Sequence, residues 1–285
     1  MDWAREWHDW PHAEYSRFSL CKPHYWHIQE MGDGPLLLLL HGAGGASQSF
    51  RHLMPLLAEA YRVVTIDLPG QGFTRLGAQA RCGLRPMAED IAKLCAQQGW
   101  HPMAVIGHSA GGAVALELLN HLPPPAPRII GINAALAGFS GLAGVLFPVM
   151  AKGLAMVPGV AAFFTASNAN PKSVQRLLSG TGSDIPLEDQ RFYRRLVGDT
   201  GHVNATLQMM AQWDLAPLLR DLPTSGAEGL LITGSRDRAV PPRTSAEIAA
   251  KVPGLSHLDL PDLGHLAHEE APETVAEAII TDLTP

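Results

Sequence analysis

The sequence predicts an α/β fold, a mostly parallel sheet covered by helices. Three observations point there. Short apolar runs alternate with stretches of helical periodicity along most of the 285 residues. The most apolar run, Leu36–Leu40, shows no polar alternation, as a strand buried on both faces requires. Between about 134 and 229 the rhythm stops: no convincing strand occurs, and Pro148, Pro158, Pro171 and Pro186 interrupt helical pieces. That interval is too long for a simple connection and reads as a helical insertion over the top of the sheet. The expected organisation is a core with an N-terminal arm over 1–133, a helical cap over 134–228, and the rest of the core over 229–285.

The elements follow in order. The opening MDWAREWHDWPHAEY is acidic from position 2 and has no apolar stretch, so it is not expected to be a secretory leader. Trp3, Trp7 and Trp10 would share one face of a helix. They suit a short arm packed on the domain or, because indoles favour boundaries between apolar and wet surroundings, an interfacial anchor. Tyr25–Glu30 reads as an early antiparallel strand, followed by Leu36–Leu40, Arg62–Asp67, Met103–Gly107, Arg128–Asn133, Leu230–Thr233 and Ser256–Leu260. Helices fit over about 47–60, 86–99, 111–121, 243–252 and 271–283, with Pro272 in a first-turn position. Nothing at the C-terminus resembles a lipidation signal.

Composition narrows the function classes. Lys and Arg number 21 against 27 Asp and Glu, a net charge of −6, which argues against a nucleic-acid partner. Hydrophobic residues make up 46%, too many for disorder, and charged residues only 17%, below the roughly 25% of ordinary domains. Cys21, Cys82 and Cys95 are odd in number and lack metal-ligand spacing, so a reducing compartment such as the cytoplasm is expected. The charge deficit is local: between Arg128 and Lys172 the one charged side chain is Lys152. As a membrane span this stretch fails, because Pro and Gly cut it into runs shorter than the roughly 20 residues needed. Peripheral membrane contact stays open. As the roof of an apolar pocket the stretch offers Phe139, Leu146, Phe147, Met150, Met156, Phe163 and Phe164, with Met209 and Met210 adding adaptable surface. The expected ligand is a hydrophobic small molecule.

Four motifs carry chemistry. Gly107-His108-Ser109-Ala110-Gly111 fits G-x-S-x-G between an apolar strand and an apolar helix. That context turns the chain sharply and exposes the Ser109 hydroxyl over a helix N-terminus, where anionic charge is favoured. A hydroxyl needs a general base. His265 supplies it, in Leu260-Pro261-Asp262-Leu263-Gly264-His265 after the last strand, with His268 as the competitor. A carboxylate must hold the base in one tautomer. Asp237, in the loop after Leu230–Thr233, gives the chain order Ser, Asp, His. Asp214 is the reserve. Finally, His41-Gly42-Ala43-Gly44-Gly45 ends the leucine strand in a small-residue loop whose amides can approach a ligand. The Ala43 and Ala110 N–H groups are the expected oxyanion donors, with Gly44 as substitute for the first. Neither nucleotide-binding glycine pattern is present, and His265-Leu266-Ala267-His268-Glu269-Glu270 lacks a recognised ligand spacing, so no cofactor and no metal are expected.

In this order the motifs resemble the α/β-hydrolase superfamily over about 25–133 and 228–283. The resemblance implies an eight-stranded sheet with an inserted cap. Serine at position 109 departs from the relatives that use an aspartate nucleophile, which disfavours epoxide hydrolase and haloalkane dehalogenase chemistry. Other stretches resemble the magnesium-chelatase-associated hydrolases of bacteriochlorophyll biosynthesis. They are the opening Met1-Asp2-Trp3 with Asp9-Trp10-Pro11 and Ser16-Arg17-Phe18, then Gly141-Leu142-Ala143-Gly144, Gly180-Thr181-Gly182-Ser183, Gly201-His202-Val203, Met209 through Leu215, and Asp237-Arg238-Ala239-Val240-Pro241-Pro242. That resemblance implies an accessory role in magnesium insertion into a porphyrin, with chelatase subunits as partners, and supplies no reaction. The expectation is a serine hydrolase acting on an ester of a bulky hydrophobic molecule. The rivals are a non-catalytic porphyrin-binding or chelatase accessory protein on the same scaffold, and a generic carboxylesterase.

Overall fold

In a computed structural model, which describes residues 1–137 and 159–284, eight strands form one sheet. They are β1 (Ser16–Cys21), β2 (His24–Met31), β3 (Leu36–Leu40), β4 (Arg62–Ile66), β5 (Ala104–His108), β6 (Arg128–Ile132), β7 (Gly229–Gly234) and β8 (Leu255–Leu260). Their order is β1-β2-β4-β3-β5-β6-β7-β8. From β4 to β8 every pairing is parallel, while β1 and β2 are antiparallel. The leucine strand is central, pairing Leu37 with Val63 on one side and Ala104 on the other, and all five leucines are buried. The expected α/β architecture is therefore the one observed.

β1 is the strand that apolar runs did not predict. SRFSLC is half-buried at a sheet edge, where Phe18 stacks on Tyr25 across the hairpin, so it needed no apolar run. The arm also differs from expectation. The helix α1 (Trp3–Glu6) gives way to a 3₁₀ turn over Trp7–Asp9, and this change of twist breaks the common face of the indoles. Trp3 meets Phe18 and Phe73, Trp10 is buried against Phe73 and Phe192, and Trp7 stays 44% exposed.

Helices α2 (Leu53–Ala58), α3 (Leu84–Gln98) and α4 (Ala110–Leu118) follow β3, β4 and β5, and a 3₁₀ turn over Ser47–Phe50 precedes α2 where one helix over 47–60 was expected. α3 stops at Gly99, whose φ of +65° closes it in the left-handed conformation that glycine adopts freely. Between β6 and β7 the described residues hold α5 (Val160–Asn168), α6 (Pro171–Gly180), α7 (Leu187–Gly198), α8 (Thr200–Ala211) and α9 (Ala216–Asp221). Then come α10 (Arg243–Ala249), α11 (Ala267–Glu270) and α12 (Pro272–Leu283), the last with Pro272 in its first turn. Apolar side chains bury on both sheet faces, one cluster joining α3, α4 and α9, the other α2 and α12. Among the described residues no helix is long and apolar enough to cross a membrane.

Candidate active site

The strand ends converge on Ser109. It follows β5 and caps α4 with φ +53° and ψ −118°, a strained conformation for a residue with a Cβ. Backbone hydrogen bonds hold it: Ser109 N–H donates to Ile132 O at 3.0 Å, and its carbonyl accepts from Gly112 and Ala135. The glycines of the motif are sterically required. A Cβ on Gly107 would lie 2.2 Å from Gly111 O, and one on Gly111 would lie 2.1 Å from Leu40 O. A Cβ on Gly42 would sit 3.0 Å from Ser109 Cβ, so the end of β3 packs directly against the serine.

His265 comes to the same place from beyond β8. Its carbonyl accepts from His108 Nε2 at 2.9 Å, so the neighbour of Ser109 anchors the His265 backbone. His265 Nδ1 lies 2.8 Å from Asp237 Oδ2. A carboxylate acceptor at Nδ1 leaves the Nε2 lone pair available to take a proton. Asp237 is buried and held on four sides. Oδ1 accepts from the Ala239 and Val240 amides at 2.7 and 2.8 Å, and Oδ2 also accepts from Asn133 Nδ2 at 2.8 Å. Asn133 was not among the expected site residues. Its signal is a lone amide side chain at the end of an apolar strand, here with φ +47°.

The loop after β3 is also pinned. His41 donates from Nδ1 to Gly42 O at 2.8 Å and accepts at Nε2 from the Leu68 amide at 2.9 Å. The Gly44 N–H donates to Gln71 Oε1 at 2.7 Å, which removes Gly44 as an alternative donor. The Ala43 and Ala110 N–H groups take no acceptor among the described residues.

The remaining candidates fall elsewhere. Asp214 is exposed and caps the Ala216 amide at 3.0 Å. His268 is fully buried, with Nε2 2.9 Å from Ser49 Oγ and its ring against His108, so it packs beneath the site. Met209 belongs to the main core, Met210 is half-buried, Phe164 is partly exposed and Phe163 is 76% exposed. Phe139, Leu146, Phe147, Met150 and Met156 lie outside the described residues. A second Asp–His–Ser series, Asp67–His27–Ser16, has distances of 2.8 and 3.1 Å. It reads as structural: Trp3, Phe18 and Phe73 enclose His27, and Asp67 also holds the Ser47 and Phe73 amides. Burial opposes ionisation of Asp67, but the His27 imidazole, together with His41 and the Phe73 amide, outweighs it and brings the carboxyl down to about 2.

Burial sets the behaviour of the histidines around the site. It lowers His202 to about 4 and His268 to about 3, and pushes His41 and His108 down as well. The unfolded chain, titrating near 6.5, therefore takes up protons before the folded one. Their contribution is complete above pH 6.5 and is lost as pH falls toward 4. A tenfold difference in proton affinity between the folded and unfolded chain is worth about 1.4 kcal/mol, so His202 alone removes on the order of 3 kcal/mol. Urea midpoints should fall steeply between pH 6.5 and 4.5, and a flat profile there would contradict the neutral buried imidazoles.

Comparison with known proteins agrees with this architecture. The chain matches the family model of the alpha/beta hydrolase fold over residues 35–272. It is 45% identical to the magnesium-chelatase 30 kDa subunit of Rhodobacter capsulatus over 95% of both chains. It is 25% identical to the pimeloyl-[acyl-carrier protein] methyl ester esterase of Aeromonas hydrophila, covering 88% of this chain and 96% of that one. Among solved structures, an esterase from Exiguobacterium antarcticum superposes with a TM-score of 0.77 at 19% identity, covering 93% of this chain and 97% of that one, a likeness of fold alone. On its sequence and its sheet, the chain belongs to the α/β-hydrolase fold family.

Proposed function

We propose that the protein is a serine hydrolase that transfers an acyl group from an ester to water. One observation carries this reading: the Asp237–His265 pair, joined through His108 to a serine with φ +53° at a strand-to-helix turn. Ser109 Oγ attacks the ester carbonyl as its proton passes to His265 Nε2, and Asp237 keeps the ring oriented. The Ala43 and Ala110 amides receive the oxyanion. Collapse expels the alcohol, protonated by His265. A water then gives its proton to His265, attacks the acyl carbon and releases Ser109 and the acid. The 129–171 stretch, with a single charge, supports a bulky hydrophobic substrate under a cap formed by 134–228.

A fluorophosphonate tests the site directly. Rapid labelling of folded protein, mapped by mass spectrometry to Ser109, is the expected result; no adduct there would end the hydrolase reading.

A second reading has its own support. Similarity to a magnesium-chelatase subunit supports an accessory role beside that enzyme, for which a porphyrin ligand and a cytoplasmic place at the membrane surface are part of the same proposal. Complementation separates the two readings. If Ser109→Ala still sustains pigment synthesis in cells lacking the native protein, the biological role is binding. Turnover of short p-nitrophenyl esters without quenching of protoporphyrin fluorescence would instead mark a general carboxylesterase.

A further inference from the structure

We propose that His202, on α8 between β6 and β7, is a positioning residue for the Ala43 amide. The inference rests on the hydrolase reading, in which that amide is an oxyanion donor. It follows from how the loop Gly42–Gly45 is held. Gly42 O accepts from His41 Nδ1 and from the Gly45 amide at 3.0 Å. In a trans peptide the N–H points opposite to the carbonyl, so the pinned Gly42 carbonyl turns the Ala43 N–H outward. The next two peptides are pinned at Gly44. Its N–H donates to Gln71 Oε1 at 2.7 Å, and its carbonyl accepts from His202 Nε2 at 3.1 Å. Gly44 has φ +77° and no Cβ, so without these two partners it can leave this conformation at little cost.

Both partners lean on α8. His202 Nδ1 accepts from the Gly72 amide at 3.0 Å, which fixes the tautomer that places the proton on Nε2, toward Gly44. Asp199, the cap of α8, accepts from the His202 amide at 2.7 Å and sets where the ring begins. Gln71 donates to Met209 Sδ at 3.2 Å, two turns along the same helix. Thr206 lies between them, its Cγ2 3.7 Å from where a Gly44 Cβ would be. Burial lowers His202 to about 4, so the neutral ring that this bonding pattern needs is the form present near neutral pH. The placement of α8 thereby reaches the amide that would stabilise the transition state.

The test compares wild type with His202→Phe, His202→Asn and, from the core side, Gln71→Met. It reads hydrogen–deuterium exchange over residues 41–46 together with kcat and KM for a p-nitrophenyl ester. The expected result for His202→Phe is faster exchange in that loop and a kcat lower by about 10–100-fold, part of what a whole oxyanion donor is worth, with KM within about twofold. His202→Asn, which restores a side-chain N–H, should recover part of kcat. Gln71→Met should move both readouts the same way and serves if His202→Phe does not fold. Unchanged exchange, or faster exchange with unchanged kcat, overturns the proposal. If wild type fails to react with the fluorophosphonate, the hydrolase reading falls on its own, and loop exchange alone decides whether His202 holds Gly44.

Discussion

Replacing Ser109 by alanine should, on the proposed mechanism, lower ester hydrolysis by on the order of 10⁴–10⁶-fold and leave the fold intact, because alanine keeps the Cβ and loses only the hydroxyl. The residual rate should come from binding and the two amides. Asp237→Asn should cost about 10⁴-fold for a different reason. The Ala239 and Val240 amides approach Oδ1 at 2.7 and 2.8 Å, so they demand an acceptor there. The new NH₂ must then face His265, whose Nδ1 has to become the acceptor, and Asn133, whose amide has to turn its oxygen toward it. The proton moves to Nε2, and the base is lost while the side chain stays in place. Steady-state kinetics with a p-nitrophenyl ester, with circular dichroism as the folding control, checks both variants. Activity within tenfold of wild type in either would remove that residue from the mechanism.

The largest stability effect is expected at Glu269. Its Oε1 accepts from Ser49 Oγ at 2.7 Å and from the Tyr193 hydroxyl, and its Oε2 pairs with Arg51. Arg51 also forms an ion pair with Asp189 at 2.8 Å. Both glutamate and arginine are buried. Burial alone would favour a neutral guanidinium, but Glu269 and Asp189 keep Arg51 firmly protonated. Glu269→Ala therefore leaves the buried guanidinium with Asp189 as its remaining carboxylate partner and takes the acceptor from the Ser49 and Tyr193 hydroxyls, a change expected to cost on the order of 3 kcal/mol. Because Asp189 and Tyr193 sit on α7, the loss should also loosen the helices between β6 and β7 from the sheet. Urea unfolding measures the first effect, and a loss under about 1 kcal/mol would show that the charges are not interdependent. Replacing all three charges, Glu269→Leu, Arg51→Met and Asp189→Asn, should recover much of the deficit, since no buried charge is then left without its partner.

The sheet was largely legible because its strands are local apolar runs with both faces buried. Leu36–Leu40 could be placed to the residue, whereas β1 could not, since an edge strand that buries little carries little apolar signal. The serine turn and the two loops bearing Asp237 and His265 were legible because strict steric demands surround them, as the glycines around Ser109 illustrate. Asn133, Gln71 and His202 were not. Each acts on a residue distant in sequence, and an amide or imidazole that holds a remote carboxylate, amide N–H or carbonyl has no spacing pattern to betray it. The tryptophan arm misled for the opposite reason: the spacing was genuine, but the helix changes type after Glu6.

The strands that bracket residues 133–228, β6 and β7, are neighbours in the sheet, with Ile129 opposite Gly229 and Ile132 opposite Ile232. The chain thus leaves and re-enters the core across one strand spacing, roughly 4.8 Å. The entropic cost of closing such an excursion grows only with the logarithm of its length, about 0.6 kcal/mol per doubling. Segments of very different size can therefore be exchanged at this gap while the sheet and the strand ends around Ser109 stay as they are. The sequence between these two strands can in this way drift far faster than the scaffold that carries it.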